Sequence, residues 1–133
     1  MEIFKIVVLS LSGLLLVYAG SMRVMNPIKS FCLKTYAENP ELKLEGKVDV
    51  FNEMRGAGAN TVVGGIIILL GTVIVDFRQI SFVVAAVIFL GYAAGRLISM
   101  SLEGKPNKDM VQGTISEIIL GALNIFSLVN ILI

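Results

Sequence analysis

The sequence predicts an all-α membrane protein, a bundle of four transmembrane helices with a short amphipathic helix after the first. Three observations predict it. The 133 residues are 56% hydrophobic and only 16% charged, and mean hydropathy is +0.85. A single soluble domain of this length has too little interior for so much apolar surface, whereas lipid accepts it. The apolar residues fall into four runs separated by polar breaks, each near the roughly 20 residues that a spanning helix needs. The runs also lack the alternation of a barrel strand, and a helix satisfies its own backbone in hydrocarbon. One integral domain is expected over residues 1–133, with spans at about 4–22, 51–75, 80–102 and 110–132.

The first span runs from Phe4 to Met22, and no charge interrupts Ile6 to Tyr18. Lys5 before this run, with Val17-Tyr18-Ala19 behind it, imitates a secretory signal and its cleavage site. A first membrane helix is the expected reading. Asn26-Pro27 then closes that helix or opens the next, since Asn caps well and Pro is tolerated at a first helical position. Ile28, Phe31, Cys32 and Tyr36 follow at helical spacing with Lys29 and Lys34 among them. This short amphipathic helix suits either the membrane surface or the end of the bundle. Asn39-Pro40 breaks it, and Glu41 to Asp49 reads as an exposed linker.

The second span opens on the charged stretch Asn52-Glu53-Met54-Arg55-Gly56 and turns apolar from Thr61 to Val75. Asp76-Phe77-Arg78-Gln79 is a tight polar turn before the third span. Glu103-Gly104-Lys105-Pro106-Asn107-Lys108 separates the third span from the fourth. The shortness of these two connections makes the helices they join antiparallel neighbours.

Composition excludes several chemistries. Histidine is absent, so histidine-ligated haem, His-bound zinc and Ser-His-Asp or Cys-His catalysis are ruled out. The single cysteine, Cys32, allows no intramolecular disulfide, redox pair or cysteine-held cluster and reads as a small apolar filler. No catalytic constellation, metal site or cofactor is expected. A net charge of +1 offers no field for nucleic acid; the expected surroundings are the bilayer and other membrane proteins. Lys29, Lys34, Lys43, Lys47, Lys105 and Lys108 lie in the first and third connections, against Lys5 and Arg78 on the other side. The positive-inside rule therefore places the first and third connections in the cytoplasm.

The informative residues are charges at or inside the spans: Glu53, Arg55, Arg96 and Glu117. All four belong to one half of the membrane. Arg96 and Glu117 each lie about two turns from the third connection, roughly 10 Å deep at the helical rise. A charge there is costly unless it meets protein, water or an opposite charge. These side chains are therefore expected to turn inward as one acid–base cluster, which is either an ion pair fixing helix register or a polar ligand pocket. Tyr92 and Ser99 share a helix face with Arg96 at i−4 and i+3. Asn60 and Asn124 lie one heptad beyond Glu53 and Glu117 and suit interhelical hydrogen bonds. Small residues predict close packing, within one bundle or between subunits: Gly64 in the second span, Gly91 and Gly95 in the third, Gly121 in the fourth. Gly95 beside Arg96 and Gly56 beside Arg55 leave room for each guanidinium.

These residues carry a resemblance. Asn26-Pro27 after the first span, Glu53-x-Arg55-Gly56, Gly95-Arg96, the turn Glu103-Gly104-Lys105-Pro106 and Glu117 occur in that order. The chain resembles, over nearly its whole length, an uncharacterised family of small bacterial four-helix membrane proteins, loosely similar to the DoxX-like superfamily. The resemblance implies a four-helix bundle with a charged cluster, in the bacterial inner membrane, and implies no reaction. DoxX-like relatives are linked to quinone-coupled oxidation and to assisting other membrane proteins; this chain shows no cofactor ligand for the first role. The expected function is a non-enzymatic accessory or scaffold subunit, self-associating or part of a larger membrane complex. The alternative is a binding or transport module for a lipid, quinone-like or other small amphiphile held by the Glu/Arg cluster. A cavity at the level of Arg96 is the feature that separates them.

Overall fold

A computed structural model describes residues 1–44 and 46–133, so Glu45 of the expected linker lies outside the described residues. The long helices are α1 (Glu2–Met25), α3 (Lys47–Val73), α4 (Arg78–Glu103) and α5 (Lys108–Leu132). Between α1 and α3 lie 3-10 turns at Pro27–Lys29 and Phe31–Leu33 and the short α2 (Lys34–Glu38). No strand occurs among the described residues. Each of the four long helices is long and apolar enough to cross a membrane, which fits a multi-pass membrane protein.

Local chemistry sets the boundaries. Helix α1 continues past the expected Met22 and so takes in Arg23. It stops where Pro27 forces Asn26 out of the helical region, at φ −146° and ψ 79°. Helix α3 begins at Lys47, ahead of the expected start, because Gly46 at φ 64° turns the chain and Asp49 suits the first turn. The Asn107 side chain caps α5 by accepting from the Met110 N–H at 3.0 Å.

The interior is polar where a soluble core would be apolar. Ser12, Arg23, Thr61, Ser81, Thr114, Glu117, Asn124 and Ser127 are buried, while Ile3, Leu11, Leu14, Val63, Val87, Ile119 and many similar residues face outward. That inversion suits a hydrocarbon surround, in which inward polar groups pair with one another. Phe82, Phe89, Leu9 and Ile68 fill the centre. Asn124 donates to Ser12 Oγ at 2.9 Å and ties α5 to α1, as an interhelical hydrogen bond rather than as part of a charged site.

Backbone approach between α1 and α3 depends on Gly65, in the small-residue stripe Ala57-x-x-x-Thr61-x-x-x-Gly65 expected to pack, and on Gly13, Gly20 and Gly58, which the pattern did not single out. A Cβ at Gly20 would stand 2.6 Å from the Gly58 carbonyl oxygen, and one at Gly58 would stand 2.8 Å from the Gly20 carbonyl oxygen. Gly13 and Gly65 repeat this mutual fit, at 3.0 and 2.9 Å, one heptad along each helix. Gly64 packs on Ile88 and Gly121 on Leu90, as expected. Gly91 and Gly95 do not make helix contacts: a Cβ at either would meet nothing within 4 Å. Their stripe faces the mouth of a cleft, so it serves no helix packing within this bundle.

The connection after α1 packs on the end of the bundle instead of lying free on a surface. Pro27, Ser30 and Leu33 are buried. Lys34 donates to Asp109 at 2.6 Å, and Asn107 donates to the Phe31 carbonyl at 3.2 Å. Both bonds pin the connection to the start of α5. The Asp109 carboxylate holds the Lys34 ammonium above its usual range. A raised lysine value means the latch is fully present below the ordinary lysine value and is lost only as pH rises through the higher folded-state value. Asp109→Asn is therefore expected to speed amide hydrogen exchange across residues 27–38 and leave the four long helices unchanged. In the unsubstituted protein, protection of that segment should hold through neutral pH and fall only in strong alkali. Equal exchange in both proteins would show that the latch does not hold the segment.

Candidate functional site

Arg96 and Glu117 meet inside the bundle, with Nη1 and Oε1 2.9 Å apart and both side chains nearly buried. The N–H is not aimed along that line, so Arg96 Nη1 has no hydrogen-bond partner among the described residues, and Glu117 Oε2, the other carboxylate oxygen, has none either. Gly113, one turn before Glu117, makes room for this guanidinium: a Cβ there would lie 3.2 Å from Arg96 Nη1. Gly95 does not serve that purpose.

A second guanidinium completes the site. Arg23 is 5% exposed, although no carboxylate lies within ion-pair distance of it among the described residues. Its Nη1 donates to Tyr92 Oη at 2.9 Å. Thr61 uses its only hydroxyl proton on the Ala57 carbonyl, at 2.7 Å. Tyr92 must therefore be the donor in its 3.1 Å contact with Thr61. The chain Arg23 to Tyr92 to Thr61 to Ala57 thus runs in one direction across α1, α4 and α3. Arg23 Nε has no partner.

Two aromatic rings hold the guanidiniums near each other. The Arg23 guanidinium lies 5.0 Å from the Tyr92 ring centre and 5.5 Å from that of Phe31; the Arg96 values are 5.4 and 5.3 Å. Both rings offer π-electron density to cations, which offsets part of the cost of bringing two like charges together. Phe31 belongs to the connection that Lys34 and Asn107 pin down, so that segment is a structural wall of the site.

The four charges expected as one cluster divide. Arg96 and Glu117 pair, whereas Glu53 and Arg55 are exposed and join neither. Arg55 instead donates to the Val24 carbonyl at 3.1 Å and stacks on Phe51. Both residues lie about two turns into α3, where long side chains reach outward instead of crossing the bundle. Ser99 is exposed and bonds Glu103, one turn on, so it does not support Arg96. Asn60 is exposed at the rim of a cleft, and Tyr92 stands at the centre of the site. Arg23 was missed because it sits just past the expected end of the first span, where a lone arginine reads as an interfacial anchor. Its signal was its place in the same membrane half as Arg96 and Glu117.

Two cavities flank the site. One, of about 680 Å³, lies between α3 and α4; Arg23, Arg96 and Tyr92 form one end, Ala57, Val87, Ile88 and Gly91 its apolar flank. Glu53 and Asn60 also line it. The other, of about 250 Å³, lies between α1 and α5 and contains Glu117 with Leu15, Leu16 and Ala19. Arg23, Thr61 and Tyr92 line both and form the partition. Glu117 is thus behind the arginines as seen from the larger cleft. No group of His, Cys, Asp and Glu able to hold a metal occurs among the described residues.

The family model for a domain of unknown function, DUF4345, matches residues 4–128, and the chain belongs to that family. No curated protein and no solved structure matches the chain.

Proposed function

We propose, for a member of this family, that the chain is a multi-pass membrane module that binds an amphiphile by an anionic or carbonyl head group. The observation that carries this reading is a charge imbalance. Two guanidiniums and one carboxylate are buried together, and both guanidiniums open onto a cleft with an apolar flank at Ala57, Val87, Ile88 and Gly91. An uncompensated cation inside a bundle is costly unless an anion or water reaches it. An oxyanion placed between Arg23 and Arg96 would accept charge-assisted hydrogen bonds from both. The tail would follow Ala57, Val87, Ile88 and Gly91 toward the lipid. Orientation follows from the lysine bias: the head-group end, with the first and third connections, faces the cytoplasm of the bacterial cell.

This reading is preferred to an accessory or scaffold subunit because both arginines, with only one carboxylate paired to them, face an open cleft. Self-association and membership of a larger complex remain compatible with the fold but have no feature that argues for them.

The test compares an anionic amphiphile with an uncharged glycoside of the same chain length, titrated into the protein in an uncharged detergent. The anionic compound is expected to bind, and Arg23→Gln should weaken it about tenfold through loss of a charged hydrogen-bond donor. Arg55→Gln, outside the cleft, should leave binding unchanged. Equal binding of the two compounds, or no effect of Arg23→Gln, would contradict the proposal.

A further inference from the structure

We infer that the head group is a zwitterion, its anion seated on Arg23 and Arg96 and its cation held outboard by Glu53. This rests on the binding reading above and specifies its ligand. Glu53 lines the same cleft as both arginines. It makes no ion pair among the described residues. Arg55, two residues on, is turned away toward Val24 and Phe51 and does not neutralise it. The larger cleft therefore presents positive charge in its depth and negative charge at its rim.

The order of those charges follows from helix geometry. Thr61, bonded to Tyr92, marks the floor. Glu53 lies two turns nearer the start of α3, about 12 Å along the axis at the helical rise. Side chains lean toward the N-terminus of their helix. Glu53 in α3 therefore leans out of the bundle, while Arg96, near the end of the antiparallel α4, leans in. The two arginines gather around Tyr92 and Phe31, between the floor and the rim.

A singly charged anionic head would satisfy the arginines but leave Glu53 facing its outer end. A head bearing a second negative charge would be repelled there. A phosphate followed by an ethanolamine spacer and a primary ammonium matches the sequence of charges from floor to rim. The ammonium has three donors for the Glu53 carboxylate, and its spacer is short enough to stay within the mouth. The hydrocarbon attached to the phosphate has the apolar flank of α3 and α4 to lie on.

Native mass spectrometry of the detergent-solubilised protein tests this with three added compounds. They are a phosphatidylethanolamine, a phosphatidylglycerol with the same acyl chains, and free phosphoethanolamine. The ethanolamine lipid is expected to bind about tenfold more tightly than the glycerol lipid, the worth of one charged hydrogen bond at the rim. In Glu53→Gln that ratio should fall toward one while binding of the glycerol lipid persists. Free phosphoethanolamine should not bind at lipid concentrations, because the tail contributes. Equal affinity for the two lipids in the unsubstituted protein, or an unchanged ratio in Glu53→Gln, would overturn the inference and leave the binding site standing. Equal binding of free phosphoethanolamine would overturn the role of the tail. Failure of either lipid to bind through Arg23 and Arg96 would remove the binding reading itself.

Discussion

Glu117→Leu is expected to destabilise the protein by about 3 kcal/mol, the lower end of the cost of breaking a buried ion pair. The loss is large because the substitution strands Arg96 and leaves two unpaired guanidiniums in one buried site. Arg96→Leu alone strands Glu117 instead and should also be costly. The double substitution Arg96→Leu/Glu117→Leu removes both charges together and should recover most of either loss, since a well-packed apolar pair replaces a buried ion pair at little cost. Reversible unfolding in detergent, followed by circular dichroism, measures the cycle. Additive losses would show that the 2.9 Å approach of these groups carries no coupling. Recovery in the double variant separates the structural role of the pair from ligand binding, which should still fail.

Gly20→Val is expected to cost about 2–3 kcal/mol by overpacking. Its Cβ would meet backbone, the Gly58 carbonyl oxygen and Val62 N–H, and neither can swing aside. The whole of α1 must move away from α3, which also displaces Arg23, only one turn from Gly20. Gly95→Ala is the matched control: its Cβ meets nothing within 4 Å, and alanine is the better helix former. That substitution should cause no loss. Thermal unfolding of both variants in one detergent checks the pair. If Gly20→Val proves harmless, the close crossing of α1 and α3 is not what holds them.

The two glycine sets show what a sequence can and cannot disclose. Four apolar runs of spanning length, with polar breaks between them, establish four helices because lipid leaves little other choice. The antiparallel neighbours followed from short connections. Which face of each helix turns inward did not follow, because the outward face is apolar too. Gly91-x-x-x-Gly95 and Gly13, Gly20, Gly58 and Gly65 are alike as letters. Only the crossing of α1 on α3 tells that the second set is in contact and the first lines a cleft.

The same limit explains the charges. Arg96 and Glu117 were legible because each lies about two turns from one short loop, which fixes their relative depth. Glu53 and Arg55 share that half of the bundle, but they stand where side chains can reach outward, so depth alone did not decide their direction. Arg23 lies before a connection whose path was open. Its burial depends on Phe31 and Tyr92 closing over it, and that depends on Lys34 and Asn107 fastening the connection to α5. Long-range fastening of this kind leaves no local periodicity.

The central claim is that a hydrocarbon tail lies between α3 and α4 with its head group on Arg23 and Arg96. Photolabelling with an anionic amphiphile that carries a diazirine in its tail, followed by peptide mapping, addresses it directly. Labels should concentrate on Met54–Thr61 and Val87–Gly95 and diminish in Arg23→Gln. Labels spread evenly over the outward faces of all four long helices, and unaltered in Arg23→Gln, would mean that the cleft holds no amphiphile.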